Sequence, residues 1–189
     1  FEQRIEWLDH GYKEIPFPAA EDGEYAMEKG SLHIWPRGHH MLMGLANMDG
    51  SFTGTIYLPN QGEDSFEQLD TPEKAEAFFA REYPDTLELV PEIGEAFLEH
   101  PVGSLGTLWC RPWHLGDRAL LVGDAAHAIV PFFGQGCNCG LEDCLVLDEL
   151  LGEPTTARMQ RAVREAAPGQ LQPADVGGTS TIALADGGE

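Results

Sequence analysis

Residues 120–151, LLVGDAAHAIVPFFGQGCNCGLEDCLVLDELL, constrain the chain more than any other stretch. The apolar run Ala119 to Val122 reads as a buried strand. It delivers Gly123-Asp124 at its carboxyl end, passes through Gly134, Gly136 and Gly140, and closes in a helix from Leu141 to Leu151. That helix carries apolar residues at Leu141, Cys144, Leu145, Leu147 and Leu151. Ligands of open α/β sheets bind outside the carboxyl ends of the strands. Glycines let a backbone approach a ligand closely, and a helix start offers outward N–H groups and a positive dipole end. A carboxylate at the strand tip accepts hydrogen bonds from sugar-type hydroxyls. Taken singly, these features are weak. Asp124 can cap a turn, Gly134-Gln135-Gly136 can be a plain loop, and the glycine spacing is not the tight dinucleotide fingerprint. His127 alone is more often structural than catalytic. The combination is what carries information.

The stretch before it reads as an antiparallel sheet with a helical insertion. Glu2 to Leu8 is extended, and Gly11 to Pro18, with two prolines, is a connection or edge strand. Tyr25 to Met27 starts a strand after the Asp22-Gly23 turn. Leu32 to Pro36, Met41 to Ala46 and Phe52 to Leu58 are strands, the last two joined by a hairpin at Asp49-Gly50. Thr71-Pro72-Glu73 opens a helix that runs to about Glu82. A second helix is expected between Leu89 and Leu98, with Pro91 near its first turn. Leu105 to Trp109 is a strand, broken at Arg111-Pro112-Trp113.

Asp and Glu number 32 against 11 Lys and Arg, a formal net charge of -21. Such a field repels phosphate backbones and anionic headgroups, which argues against nucleic acid or a membrane surface as partner. The most apolar stretch, Ala119 to Phe133, is broken by Asp124 and His127 and is too short to span a bilayer. The start, FEQRIEWLDHGY, lacks the apolar core of a signal peptide. Cys137, Cys139 and Cys144 lie close together, but their spacing is not a common zinc pattern and no second cluster completes it. No metal is expected; buried, reduced thiols and a cytoplasmic location are. The chain opens at Phe1 inside a strand-like segment, and 168–189 is rich in Gly, Ala, Thr and Pro. A partial protein with a disordered, foreign or misread tail is the expectation.

GDAAHAIVPFFGQGCNCGLEDCLVLDEL resembles the second flavin-binding motif of the FAD-dependent aromatic hydroxylases. LDHGYKEI, LHIWPRG and MLMGLANMDGSFTGTIYLP extend the likeness over Gln3 to Leu151, and LHIWPR, DGSFT and PFFGQG narrow it to the kynurenine-hydroxylating branch. The resemblance implies an α/β fold with α+β character. Its parts are an antiparallel substrate-binding sheet (1–115), the closing strand and helix of a Rossmann-like FAD-binding domain (116–152) and a tail (153–189). It implies FAD and NADPH as cofactors, and L-kynurenine and O2 as small-molecule partners. Asp124, after Gly123, would hold ribityl hydroxyls. Pro131 would lie against the flavin ring as the catalytic contact, and Gly134, Gln135, Gly136, Cys137 and Asn138 would give backbone contacts around its pyrimidine edge. Cys137 stands where the family usually has methionine.

Met43 and Leu45 on one strand, and Thr55 and Tyr57 on the next, alternate so that each pair shares a face. Without the resemblance, they read as a sheet packing on a helix. With it, they form an aromatic-substrate wall closed by Pro131 and Phe132. Tyr57 departs from the usual phenylalanine. The family's strand–Gly-x-Gly-x-x-Gly–helix unit, the arginine and tyrosine that clamp the substrate carboxylate, and the C-terminal helical region do not occur in these residues. Rival readings are a hydroxylase of another aromatic, a non-hydroxylating FAD oxidoreductase, and a fragment without activity.

Overall fold

The computed structural model describes residues 1–151; the tail expected over 153–189 lies outside the described residues. The fold is mixed α/β. Its main sheet contains β1 (Glu2–Phe17), β2 (His33–Arg37), β3 (His40–Ala46), β4 (Phe52–Pro59) and β5 (Gly103–Arg111), in the order β2-β3-β4-β1-β5. The chain divides into two compact units: Leu8–Leu105, and Phe1–Trp7 together with the chain from Gly106 on.

In the unit Leu8–Leu105, the hairpin β3–β4 forms where the sequence predicts it. Asp49 accepts from the backbone N–H of Ser51 at 3.1 Å and from its hydroxyl at 2.6 Å, while Gly50 takes φ 91°. The register sets Met43 opposite Thr55 and Leu42 opposite Ile56. On the other side of β4, Tyr57 faces Tyr12 and Thr55 faces Glu14. Alternation then sorts the faces. Ile15, Phe17, Leu42, Phe52, Ile56 and Leu58 point to the helices and join one core with Phe78, Phe79, Tyr83, Ile93 and Phe97. Gly54 is in that layer because a Cβ there would sit 2.3 Å from the Phe17 ring. Lys13 is buried with it. Its Nζ donates to the Phe97 carbonyl at 2.8 Å and lies 4.4 Å from that residue's ring centroid.

The helices are α1 (Pro72–Glu82), α2 (Thr86–Leu89) and α3 (Ile93–Glu99). Thr71 caps α1 by accepting from Lys74 N, and Pro72 occupies the first turn. Three expectations are corrected here. The helix expected between Leu89 and Leu98 is α3 and begins only at Ile93, past Pro91, while a short α2 that the sequence did not suggest ends at Leu89. Gly11 to Pro18 is no separate connection: β1 is one strand of 16 residues, with exposed Pro16 paired opposite Thr53 and Pro18 just past its end. Tyr25 to Met27 is no strand. Side-chain contacts hold that segment instead, the Tyr25 hydroxyl donating to the Asn47 carbonyl at 2.8 Å and its ring packing edge-on against Phe52.

In the other unit, Glu6 accepts from the Trp109 indole at 3.2 Å, joining the first residues of β1 to β5. After the Pro112 break come β6 (His114–Leu115) and β7 (Ala119–Leu120), which pair antiparallel. Then follow α4 (Asp124–His127), a 3-10 turn at Pro131–Phe133 and α5 (Gly136–Leu151). Ala119 to Val122 is not the buried strand the sequence suggests. Only Ala119–Leu120 is strand, Ala119 is exposed, and Leu120, Leu121 and Val122 are half-buried. A small core of Cys110, Trp113 and Ala126, flanked by Leu108, Leu120 and Leu121, supports this region.

Candidate functional site

The turn that bears Asp124 is defined by its glycine. Gly123 takes φ 59° and ψ -143°, a conformation that side chains strain, and its carbonyl accepts from Ala126 N and His127 N at 2.8 and 3.0 Å. Asp124 is the first residue of α4 and its carboxylate is exposed. A Cβ built on Gly136 would meet Asp124 Oδ1 at 3.7 Å, so the carboxylate lies beside the first turn of α5.

The loop between the two helices makes a second tight turn. Pro131–Phe133 is followed by Gly134 in the left-handed region (φ 61°, ψ 27°), its N–H donating to the Pro131 carbonyl at 3.0 Å. Gln135 donates from its amide to Phe133 O at 3.0 Å, and its Oε1 accepts from the Asn138 amide at 3.0 Å. These two side chains brace the loop, which leaves the backbone as its outward chemistry. Cys139 N donates to Gln135 O at 2.9 Å, so the N–H groups of Gly136, Cys137 and Asn138 precede the helix ladder. Pro131, Gly134, Cys137 and Asn138 are exposed; Phe132, Gln135 and Gly136 are half-buried.

The expected burial of the thiols holds for Cys110 and Cys139 only; Cys137 and Cys144 are exposed on α5. Burial, then the nearby Glu142 and Asp143 carboxylates, push the Cys139 thiol up. Among the described residues, no three His, Cys, Asp or Glu side chains gather as a metal site, and no helix is long and apolar enough to cross a membrane.

In the unit Leu8–Leu105, Met43, Leu45, Thr55 and Tyr57 share the sheet face opposite Leu42 and Ile56. That face is turned away from the core formed with α1 and α3. Met43 and Tyr57 are buried, Thr55 is half-buried and Leu45 is 55% exposed. Register adds Tyr12 and Glu14 to this face. The Tyr57 ring lies 6.4 Å from that of Tyr12, and burial, then that neighbour, push its hydroxyl up to about 12. Met43, Leu45, Thr55 and Tyr57 thus come together on one unit, and Asp124, Pro131 and Gly134 to Asn138 on the other.

Sequence reasoning missed a residue at the second group. Asp143, one turn past Gly140 on α5, accepts from Gly123 N at 2.8 Å, and the same oxygen lies 2.6 Å from His127 Nε2. His127 in turn packs 5.1 Å from the Trp113 ring. An acidic residue inside an apolar helix pattern was the available signal.

The model of the FAD binding domain family matches residues 88–166. The chain is 57% identical over 153 residues to kynurenine 3-monooxygenase of Myxococcus xanthus, covering 81% of this chain and 33% of that protein. It is 53% identical over 149 residues to kynurenine 3-monooxygenase of Stenotrophomonas maltophilia, covering 79% and 33%. It thus spans about a third of the length of these curated relatives. Among solved structures, it resembles the tetrameric form of 2-methyl-3-hydroxypyridine-5-carboxylic acid oxygenase, with a TM-score of 0.67 and 18% identity over 88% of this chain and 43% of that one. Klebsiella pneumoniae HpxO complexed with FAD and uric acid also scores 0.67, at 17% identity over 88% of this chain and 41% of that one. At such identities the likeness shows the fold alone. Over the stretch it spans, the chain is similar to kynurenine 3-monooxygenases, and residues 88–166 match the FAD binding domain family.

Proposed function

We propose that the chain is part of an NADPH-dependent FAD monooxygenase that converts L-kynurenine to 3-hydroxykynurenine. The observation that carries this reading is the 57% identity to a kynurenine 3-monooxygenase over 153 residues. The donor set fits the cofactor. Asp124 offers an exposed carboxylate to ribityl hydroxyls, and the small Gly136 beside it leaves room for a ligand against the helix start. The N–H groups of Gly136, Cys137 and Asn138, with the positive end of α5, favour negative charge at the flavin's pyrimidine edge.

When bound, FAD supplies the redox chemistry that takes electrons from NADPH and delivers one atom of O2 to the ring, the other leaving as water. The protein's share is position and exclusion of water. Pro131 and Phe132 offer an apolar surface to the flavin and substrate rings. Met43, Leu45 and Thr55 form the substrate wall, and Tyr57 remains a protonated hydrogen-bond donor at neutral pH. We assign 1–115 to the substrate side, 116–152 to the cofactor side, and the protein to a reducing, cytoplasmic compartment that suits four free thiols.

The test is FAD affinity in the chain and its Asp124→Ala variant, followed by flavin fluorescence. Removing a charged acceptor should weaken binding by about 1.5–3 kcal/mol. Equal affinity in the two proteins refutes the assignment. In the enzyme that carries this stretch, NADPH oxidation should run in step with 3-hydroxykynurenine formation.

A further inference from the structure

Three residues of α5 lie along one helical face, at positions 136, 140 and 143. Each meets the turn that carries Asp124. Gly136 is beside the Asp124 carboxylate, and Gly140 lies against the backbone of Gly123. Asp143 Oδ2 accepts from Gly123 N–H at 2.8 Å and pairs with His127 Nε2 at 2.6 Å. The Asp143 side chain is 9% exposed and that of His127 6%. One buried oxygen therefore grips both ends of a single helical turn, Gly123 and His127, with Asp124 between them.

Such a turn does not hold itself. Four residues of helix form too few bonds to offset the cost of fixing their dihedrals. Gly123, free to adopt many conformations, adds to that cost. The bonds from Asp143 are charge-assisted and shielded from water, so they are stronger than ordinary ones. A carboxylate only accepts, which places the hydrogen on His127 Nε2. The Trp113 ring, 5.1 Å from the imidazole, closes the other side.

We propose that Asp143 is a positioning residue for the cofactor site: it holds the Gly123–His127 turn so that the Asp124 carboxylate points at the ribityl chain. This rests on the reading that Asp124 binds FAD. Asp143 itself need not touch the cofactor.

The test measures FAD affinity of the enzyme carrying this stretch by flavin fluorescence, with amide exchange at Gly123 read by NMR without FAD and folding checked by far-ultraviolet circular dichroism. Asp143→Ala should weaken FAD about tenfold, the loss of a hydrogen bond to a charged group, and speed exchange at Gly123. In an Asp124→Ala background, it should weaken FAD no further. Asp143→Asn, whose Oδ1 accepts the same two bonds, should restore affinity to within about threefold. Asp148→Ala, exposed on the same helix, should change nothing. Effects of Asp143→Ala and Asp124→Ala that multiply would show that Asp143 does not act through Asp124 and overturn the proposal. So would an Asn variant as weak as the Ala variant, or FAD affinity lost in Asp124→Ala and kept in Asp143→Ala. Where Asp143→Ala does not fold, Asp143→Glu keeps the charge but displaces the oxygen; the same loss is expected, and unchanged affinity overturns the proposal. An unaltered enzyme carrying this stretch that binds no FAD overturns the cofactor reading, and this proposal with it.

Discussion

Gly123 and Gly140 meet backbone to backbone: a Cβ on Gly140 would lie 3.4 Å from the Cα of Gly123. A methyl group just fits at that distance, and a branched side chain does not. Gly140→Ala should leave stability within about 1 kcal/mol of the parent, since the helix propensity gained by α5 offsets the tighter contact. Gly140→Val should cost about 1–3 kcal/mol, the range for overpacking a filled site. Urea unfolding of the two variants checks this. Equal stability would mean that α5 can move off the turn freely.

Tyr57 is buried on the face of β4 turned away from α1 and α3, and its hydroxyl, pushed up to about 12, stays protonated across the working pH range. Tyr57→Phe should leave FAD bound and shift the KM for L-kynurenine by about 2- to 10-fold, the worth of one neutral hydrogen bond. Steady-state kinetics and flavin content of the enzyme carrying this stretch separate the two effects. Flavin loss would place the hairpin face against the cofactor instead.

What could be read from the sequence was whatever has a local cause. Asp49-Gly50 between β-prone runs specifies a hairpin, and alternation sets Met43 with Leu45 and Thr55 with Tyr57; the register of the hairpin is what joins the two pairs on one face. Thr71-Pro72 specifies a helix start. The misreadings arise where tertiary contacts override local preference. Pro16 sits inside β1 with its ring exposed, opposite Thr53 in the register, so the local proline signal does not end the strand. Ala119 to Val122 is apolar enough for a buried strand, yet only two of its residues pair, and with a two-residue partner. Asp143 escaped notice because its contacts with Gly123 and His127 join residues 20 and 16 positions apart. No periodicity reports such a distance.

His40 links the β2–β3 turn to the end of α1. Its Nδ1 is hydrogen-bonded to the Tyr83 hydroxyl at 2.6 Å, and Nε2 is 4.0 Å from Glu82. Burial holds its pKa below the ordinary 6.5, outweighing Glu82 and Asp64, which act the other way. As pH falls below 6.5, the unfolded chain takes up a proton that the folded chain refuses. Stability therefore falls on acidification, by at most about 1.4 kcal/mol per pH unit from this group. His40→Gln removes the titration. The parent should lose more unfolding free energy than the variant between pH 7 and pH 5, and parallel curves would contradict the assignment.

The last prediction concerns residues 1–189 on their own. They contain the Asp124 turn and the start of α5 but no Gly-x-Gly-x-x-Gly segment. Dinucleotide cofactors are held largely through their phosphates at a glycine-rich helix start. Two charged hydrogen bonds forgone there correspond to about 100-fold or more in affinity. The chain should bind FAD weakly, at least that far below the Myxococcus xanthus relative, and show no hydroxylation of L-kynurenine. Leu141 and Leu145 of α5, 63% and 59% exposed, should make it prone to self-association. Flavin titration, product analysis and sedimentation of the purified chain check all three. A yellow, monomeric chain that forms 3-hydroxykynurenine would show that its own residues suffice for the cofactor's phosphates and for the substrate.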